Sequence, residues 1–237
     1  MAAQATVARM DAADIYAESR ARILELAAEA PAEHFDRPVP ATPAWSGRDL
    51  LAHLAGVPTD VLEGRLEGAG GNEWTAAQVE LRKGRSVDEL AEEWRATANQ
   101  FDAMAKAAPE GLVGALASDV LQHELDLRGA LERPAGESAL SGLDFGLNFM
   151  AGYLDTRVGK AGLPALHVEA GNQEWTLGPG EAAARLTTTP IEFFRVLAGR
   201  RSEAQVRALD WQGDPGPYLG VLSAFGPLAP ADVTESL

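Results

Sequence analysis

Reactive side chains are scarce in this sequence, which has no cysteine and only four histidines, His34, His53, His123 and His167. Without a thiol of its own it can form no disulfide framework, no thiolate metal ligand and no cysteine nucleophile. His34 lies in a proline-flanked segment and His167 on the polar phase of an alternating stretch, so both are expected to face solvent. His53 shares a helical face with Leu50, Leu54 and Val57 and is expected inside. On a second helix Leu116, Val120, Leu127 and Leu131 form an apolar stripe, and Asp119, His123 and Asp126 stack along the line beside it. Two donors at i and i+4 can chelate one cation. The pattern therefore allows His53 from one helix, with Asp119 and His123 from another, to converge on a divalent metal that keeps an open position. Asp126 would then be a fourth contact or a support behind the ligands. The alternative is that Asp119, next to Ser118, favours a helix N-terminus electrostatically while both histidines are buried and satisfied.

These residues need rigid carriers, and the pattern supplies them. Apolar positions recur at three and four over the first 160 residues, as in Ile15, Ile23, Leu26 and Ala30. Residues 38–45 hold three prolines and read as a loop. Ser46 and Asp49 then form a capping box, with Trp45 packing on Leu50, and start the helix that carries His53; Pro58 should bend it. The Gly68–Gly71 break precedes a short helix read as capped by Thr75 and Gln78. Ser86 and Glu89 open a longer helix with Leu90, Trp94, Phe101 and Met104. Ser118 is read as the cap of a helix running to about Glu132, and a fifth helix spans roughly 140–158. After Lys160 the period changes. Leu166, Val168 and Ala170 alternate with polar residues, Gly171-Asn172 offers a turn, and residues 175–177 and 183–187 supply further strands. Thr189-Pro190 starts a helix that Gly199 ends, and Ser202 with Gln205 caps another. The expectation is a mainly α protein: a metal-binding helical bundle over residues 1–160 and a small α+β domain over 161–237.

Composition narrows the partners. A net charge of −15 is unsuited to nucleic acid or anionic membrane surfaces. With 46% hydrophobic and 23% charged residues the chain can bury a sizeable core. Residues 1–10 lack a cationic start followed by an apolar run, and no stretch has the length of a membrane span, so a cytoplasmic location is expected. Gly68-Ala69-Gly70-Gly71 lacks the lysine and preceding strand of a nucleotide loop. Trp74, Trp94, Trp175 and Trp211 sit in apolar periodic settings and read as packing residues. The oligomeric state is left open.

Two strings carry a family resemblance. Thr42-Pro43-Ala44-Trp45-Ser46-Gly47-Arg48-Asp49-Leu50-Leu51-Ala52-His53-Leu54-Ala55-Gly56 resembles the opening of the mycothiol-dependent maleylpyruvate isomerase-like proteins of the DinB superfamily. Ser118 to Leu131 is similar to that family's later helix, with an acidic residue, a histidine four on and an aspartate three further. Asn72 to Val79, Arg82 to Ser86, Glu93-Trp94-Arg95 and Leu197 to Ser202 resemble its middle and C-terminal parts. The resemblance implies a DinB-type four-helix bundle with an interior metal, usually zinc, held by His, Glu and His, carried here onto His53, Asp119 and His123. Aspartate replaces the glutamate at 119 and is one methylene shorter, so water could intervene; Glu124, about 100° round the helix, is a poor substitute.

What the resemblance implies for activity is a low-molecular-weight thiol such as mycothiol, ionised at the metal, acting on a small-molecule substrate as an isomerase or an S-transferase. A dianionic substrate such as maleylpyruvate would need a cationic partner, for which Arg82, Arg85, Arg200 and Arg201 are candidates. Arg82, at the end of the short helix after the glycine break, is preferred. Two other readings remain open: a metal-dependent hydrolase without a thiol, using Asp126 or Glu124 as base, and a non-catalytic DinB-like binding or stress protein.

Overall fold

Capping and apolar periodicity build the helices in the order that the sequence requires. The computed structural model describes residues 11–237, so the reading of residues 1–10 as free of a leader lies outside the described residues. Helix α1 (Ala12–Glu29) starts where the Asp11 carboxylate accepts from the Asp14 amide at 2.8 Å, and it buries Ile15, Tyr16, Ile23 and Leu26. Helix α2 (Gly47–Leu62) opens with both halves of the Ser46–Asp49 capping box and continues through Pro58. A short helix α3 (Asn72–Leu81) leads to α4 (Val87–Ala107), which opens with the Ser86–Glu89 box, and then to α5 (Glu110–Leu131). Helices α1, α2, α4 and α5 form a four-helix bundle: α1 lies on α5 and α4, and α2 on α4 and α5.

The remainder is the α+β part. Helix α6 (Leu143–Lys160) packs on α5 and leads into strands β3 (Ala165–Ala170), β4 (Gln173–Leu177) and β5 (Ala182–Thr188), helices α7 (Pro190–Leu197) and α8 (Glu203–Arg207), and strand β6 (Asp210–Gln212). The sheet order is β4-β3-β5-β6, with β3 antiparallel to β4 and parallel to β5. Leu166, Val168 and Ala170 face inward, and α6 lies against β3 and β4 and packs on α7. One apolar core is continuous from Ile23 and Leu50 through Leu125 to Phe194 and Leu186. No helix among the described residues is long and apolar enough to cross a membrane.

Four boundaries differ from expectation. Residues 38–45 are a small hairpin, β1 (Pro38–Val39) with β2 (Thr42–Ser46), because a two-stranded ribbon has only edges and an edge strand tolerates proline's missing donor. Helix α3 starts at Asn72, with Gly71 rather than a side chain at its cap, while the Thr75 hydroxyl turns back to the Asn72 carbonyl. Helix α5 starts at Glu110, two turns before Ser118, whose buried hydroxyl has no hydrogen-bond partner. Gly114 lies inside this helix, and a Cβ there would lie 2.3 Å from the Phe149 ring, so it marks a close approach of α6. Helix α6 begins at Leu143, after Gly142 at φ +83°, rather than at 140.

Gly199 ends α7 at φ +72°, and a Cβ there would meet the Pro227 carbonyl oxygen at 2.8 Å. Left-handed strain and a backbone clash act together, so Gly199→Ala is expected to cost about 1–3 kcal/mol. Urea unfolding of the variant would test this, and an unchanged midpoint would count against the turn geometry.

Candidate metal centre

Helix α2 carries His53 into the bundle because Leu50 and Leu54 beside it are fully buried, and His53 itself is 2% exposed. Helix α5 presents Asp119 and His123 one turn apart. The three meet: His123 Nε2 lies 3.4 Å from Asp119 Oδ1, and His53 Nε2 lies 3.6 Å from Asp119 Oδ2. One donor atom from each falls within 4.8 Å of the other two.

Each imidazole is fixed from behind. The Gln78 amide nitrogen donates to Asp60 Oδ2 at 2.8 Å, which turns its carbonyl oxygen toward His53 Nδ1 at 2.7 Å. An amide oxygen only accepts, so His53 carries hydrogen on Nδ1 and presents Nε2 to Asp119. His123 Nδ1 likewise donates to Asp126 Oδ2 at 3.0 Å. Nδ1–H bonded to a carboxylate or carbonyl with Nε2 left for the cation is the arrangement of metal-ligating histidines. A divalent cation therefore fits this donor set, two imidazole nitrogens and one carboxylate with room for a further ligand.

The electrostatics point the same way. Burial works against a charged His123, but Asp119, and after it Asp126, outweigh burial and raise its pKa to about 9. Asp119, also opposed by desolvation, is held well below the usual carboxylate range by His123 and His53. The centre attracts positive charge, which without a metal is a proton.

The three donors open on a cavity of about 530 Å³. Trp45 and Trp74 stand in its wall with ring centroids 5.3 and 6.5 Å from that of His53, and Trp45 is stacked at 6.4 Å from His123. Trp74 was expected to be a packing residue; instead it borders the cavity, its indole nitrogen donating to the Arg65 carbonyl. Trp94 is fully buried in the bundle, and Trp175 and Trp211 pack against the core, as expected.

The expectation for Arg82 is corrected. Its guanidinium is buried behind α2, bound to Glu93 and to the Gln78 carbonyl, and does not reach the cavity. Arg85 also pairs with Glu93, and Arg201 with Glu192 and Glu235. Arg200 does line the cavity, and its side chain binds Asp126 at 3.0 Å. Glu124 is held by Arg22 and Arg128 on another side of α5, and Asp126 by Arg195, Arg200 and His123. Neither carboxylate is free to be the base of the hydrolase reading. His34 is half-buried, and His167 is enclosed enough that its Nε2 is buried without a hydrogen-bond partner.

Sequence reasoning missed Gln78, Arg195 and Glu235. Gln78 was assigned to a cap, although its polar side chain at the phase of a buried position could have drawn attention. Glu235 and Arg195 lie too far from α5 in sequence to be linked to it. Replacement of Gln78 by leucine is expected to lower metal affinity about 10- to 100-fold, because it frees the His53 ring. Isothermal titration with zinc would show it, and unchanged affinity would mean that His53 is oriented by packing alone.

The fold and this cluster define a mainly helical protein, a four-helix bundle with a histidine–carboxylate–histidine cluster at the floor of a cavity. The chain belongs to the mycothiol maleylpyruvate isomerase N-terminal domain family, whose model matches residues 16–137, just over half of its length. Its fold is similar to the crystal structure of the mycothiol-dependent maleylpyruvate isomerase, at TM-score 0.59 and 14% identity over 81% of this chain and 88% of that one. A histidine-to-alanine mutant of that enzyme is similar at TM-score 0.55 and 14% identity, over 80% and 87%. No curated protein matches the sequence.

Proposed function

We propose that the chain is a divalent-metal enzyme, with zinc as the metal, that uses mycothiol or another low-molecular-weight thiol on a small-molecule electrophile, as an isomerase or S-transferase. The observation that carries this reading is the convergence of His53, Asp119 and His123 in the cavity, with both Nδ1 atoms already engaged. Family membership supports the thiol, and a protein without cysteine must take its thiol from solution. A bound divalent cation would lower the pKa of a thiol that ligates it and so supply a nucleophile at neutral pH.

This chain's own residues do the rest. His53 and His123 offer Nε2 lone pairs, and Gln78 and Asp126 keep those lone pairs aimed. Asp119 divides its two oxygens between the two histidines, which places the shorter carboxylate within reach of a shared cation. Trp45 and Trp74 set aromatic rings beside His53 in the cavity wall. We take residues 1–160 as the metal-binding unit and 161–237 as a small α+β unit that completes it, since Arg195 and Arg200 bond the Asp126 carboxylate that orients His123.

The test is elemental mass spectrometry of protein purified without an affinity metal column, followed by titration of the metal-loaded protein with a thiol. About one equivalent of zinc, and a thiol that displaces protons on binding, is the expected result. A stable protein that takes up no metal would instead favour a non-catalytic bundle.

A further inference from the structure

Five large apolar side chains are notably exposed among the described residues: Leu66, Leu81, Leu112, Tyr153 and Phe225. Three of them, Leu66, Leu112 and Phe225, border the cavity above the cluster. They come from the loop after α2, the first turn of α5 and the C-terminal segment, so the apolar mouth is assembled by the fold. Exposed apolar groups gathered at one cavity mark a binding surface more than scattered ones do.

Charge gives a second, independent constraint. With both histidines neutral as metal ligands, Asp119 and Arg200 are the charged side chains among the lining residues. All three guanidinium nitrogens of Arg200 already have partners, Nε and one terminal nitrogen on Asp126 and the other on the Ala198 carbonyl at 3.2 Å. Asp119 and a thiolate together offset a divalent cation, as Asp126 offsets Arg200, so no surplus positive charge is left for a dicarboxylate. The net charge of −15 further repels dianions. One buried side-chain oxygen in the wall lacks a partner: the Thr42 hydroxyl, a neutral donor suited to a carbonyl oxygen.

We propose that the substrate which meets the thiol here is a neutral α,β-unsaturated carbonyl compound with a bulky apolar group lying against Leu66, Leu112 and Phe225, and is not a dicarboxylate. This rests on the thiol reading of the site. In the reaction the thiol gives its proton to solvent, and its sulfur forms a bond to the β-carbon. The alkene π pair moves through to the carbonyl oxygen, and the α-carbon then takes a proton from solvent as the carbonyl re-forms. Nothing is oxidised or reduced, and the product is a thioether.

The first arm of the test needs no activity. N-phenyl-1-naphthylamine, a neutral apolar fluorophore, should bind the wild type and be displaced by trans-4-phenyl-3-buten-2-one but not by maleate. Leu112→Glu and Phe225→Glu alter exposed positions and should fold; each should weaken probe binding about tenfold or more. Leu81→Glu, exposed but away from the cavity, should bind as the wild type does. Displacement by maleate, or equal binding in all variants, would overturn the proposal. In the second arm, zinc-loaded protein with mycothiol should conjugate the ketone, with kcat/KM about tenfold or more above that for maleate, and Thr42→Val should lower it. The reverse preference would also overturn the proposal. Probe binding as expected, in wild type and His123→Ala alike, with no conjugation would leave the apolar ligand class standing and sink the thiol chemistry.

Discussion

His123→Ala protein should retain less than about a tenth of the metal that the wild type carries, since a three-ligand centre loses its geometry with any imidazole. His53→Ala should behave alike. Asp119→Ala should lose less, because water can take a vacated oxygen position. Asp126 cannot move in to replace Asp119, for its oxygens are bonded to His123, Arg195 and Arg200. The ordering is therefore both histidines first and Asp119 next, read by elemental mass spectrometry on each purified variant. Equal metal in all three would rule out this centre.

The same geometry sets a pH dependence. In the metal-free protein His123 has a pKa of about 9, so below that pH a cation must displace its proton. Apparent affinity should rise roughly tenfold per pH unit between about 6.5 and 9, then flatten. The stability of the metal-free protein runs the other way. The raised His123 pKa contributes stability fully below about 6.5, and this is lost as pH rises through 9. Asp119, depressed in the fold, contributes stability above about 4 that is lost as pH falls. Metal-free protein should accordingly be most stable in mild acid and metal binding tightest in mild alkali. Coincident optima would mean that His123 does not compete with the cation.

How far the sequence could be read depends on the distance over which each feature is encoded. The Ser46–Asp49 and Ser86–Glu89 boxes are local devices, and both helices start where those residues place them. The strand alternation of 166–170 and its return at 175–177 are equally local and appear in register. Helical phase alone put His53, Asp119 and His123 on inward faces, and their convergence follows from two helices that pack together. Arg82 failed for a reason that no local pattern contains: Glu93, on the next helix, claims it. Ser118 failed because a polar residue mid-helix looks like a cap until the preceding turns are seen to hold. The apolar mouth was invisible for the same reason, since Leu66, Leu112 and Phe225 belong to three segments that only the tertiary fold unites.

The largest stability loss is expected at Asp126, which joins the two parts of the chain. Its carboxylate is fully buried and accepts from Arg195 at 2.6 Å, from Arg200 at 3.0 Å and from His123 at 3.0 Å. Burial raises the cost of its charge, yet Arg200 and Arg195 hold its pKa well below the carboxylate range. Arg195 is itself without exposure and sits between Asp126 and Glu235, its other contacts being Gln122. Asp126→Ala leaves the fully buried Arg195, and Arg200 at the cavity wall, short of countercharge, a change that costs about 3–5 kcal/mol. It also releases His123 Nδ1, so metal affinity should fall along with stability. Asp126→Asn keeps the shape and one acceptor oxygen but cannot balance the arginines, and should recover part of the fold and little of the metal. A double variant, Asp126→Leu with Arg195→Met, removes the two fully buried charges of opposite sign and leaves Glu235 its bond from Arg201, so it should unfold at a higher denaturant concentration than Asp126→Ala. If instead the double variant is the weaker, the cost of the single change lies in lost packing and not in an orphaned charge.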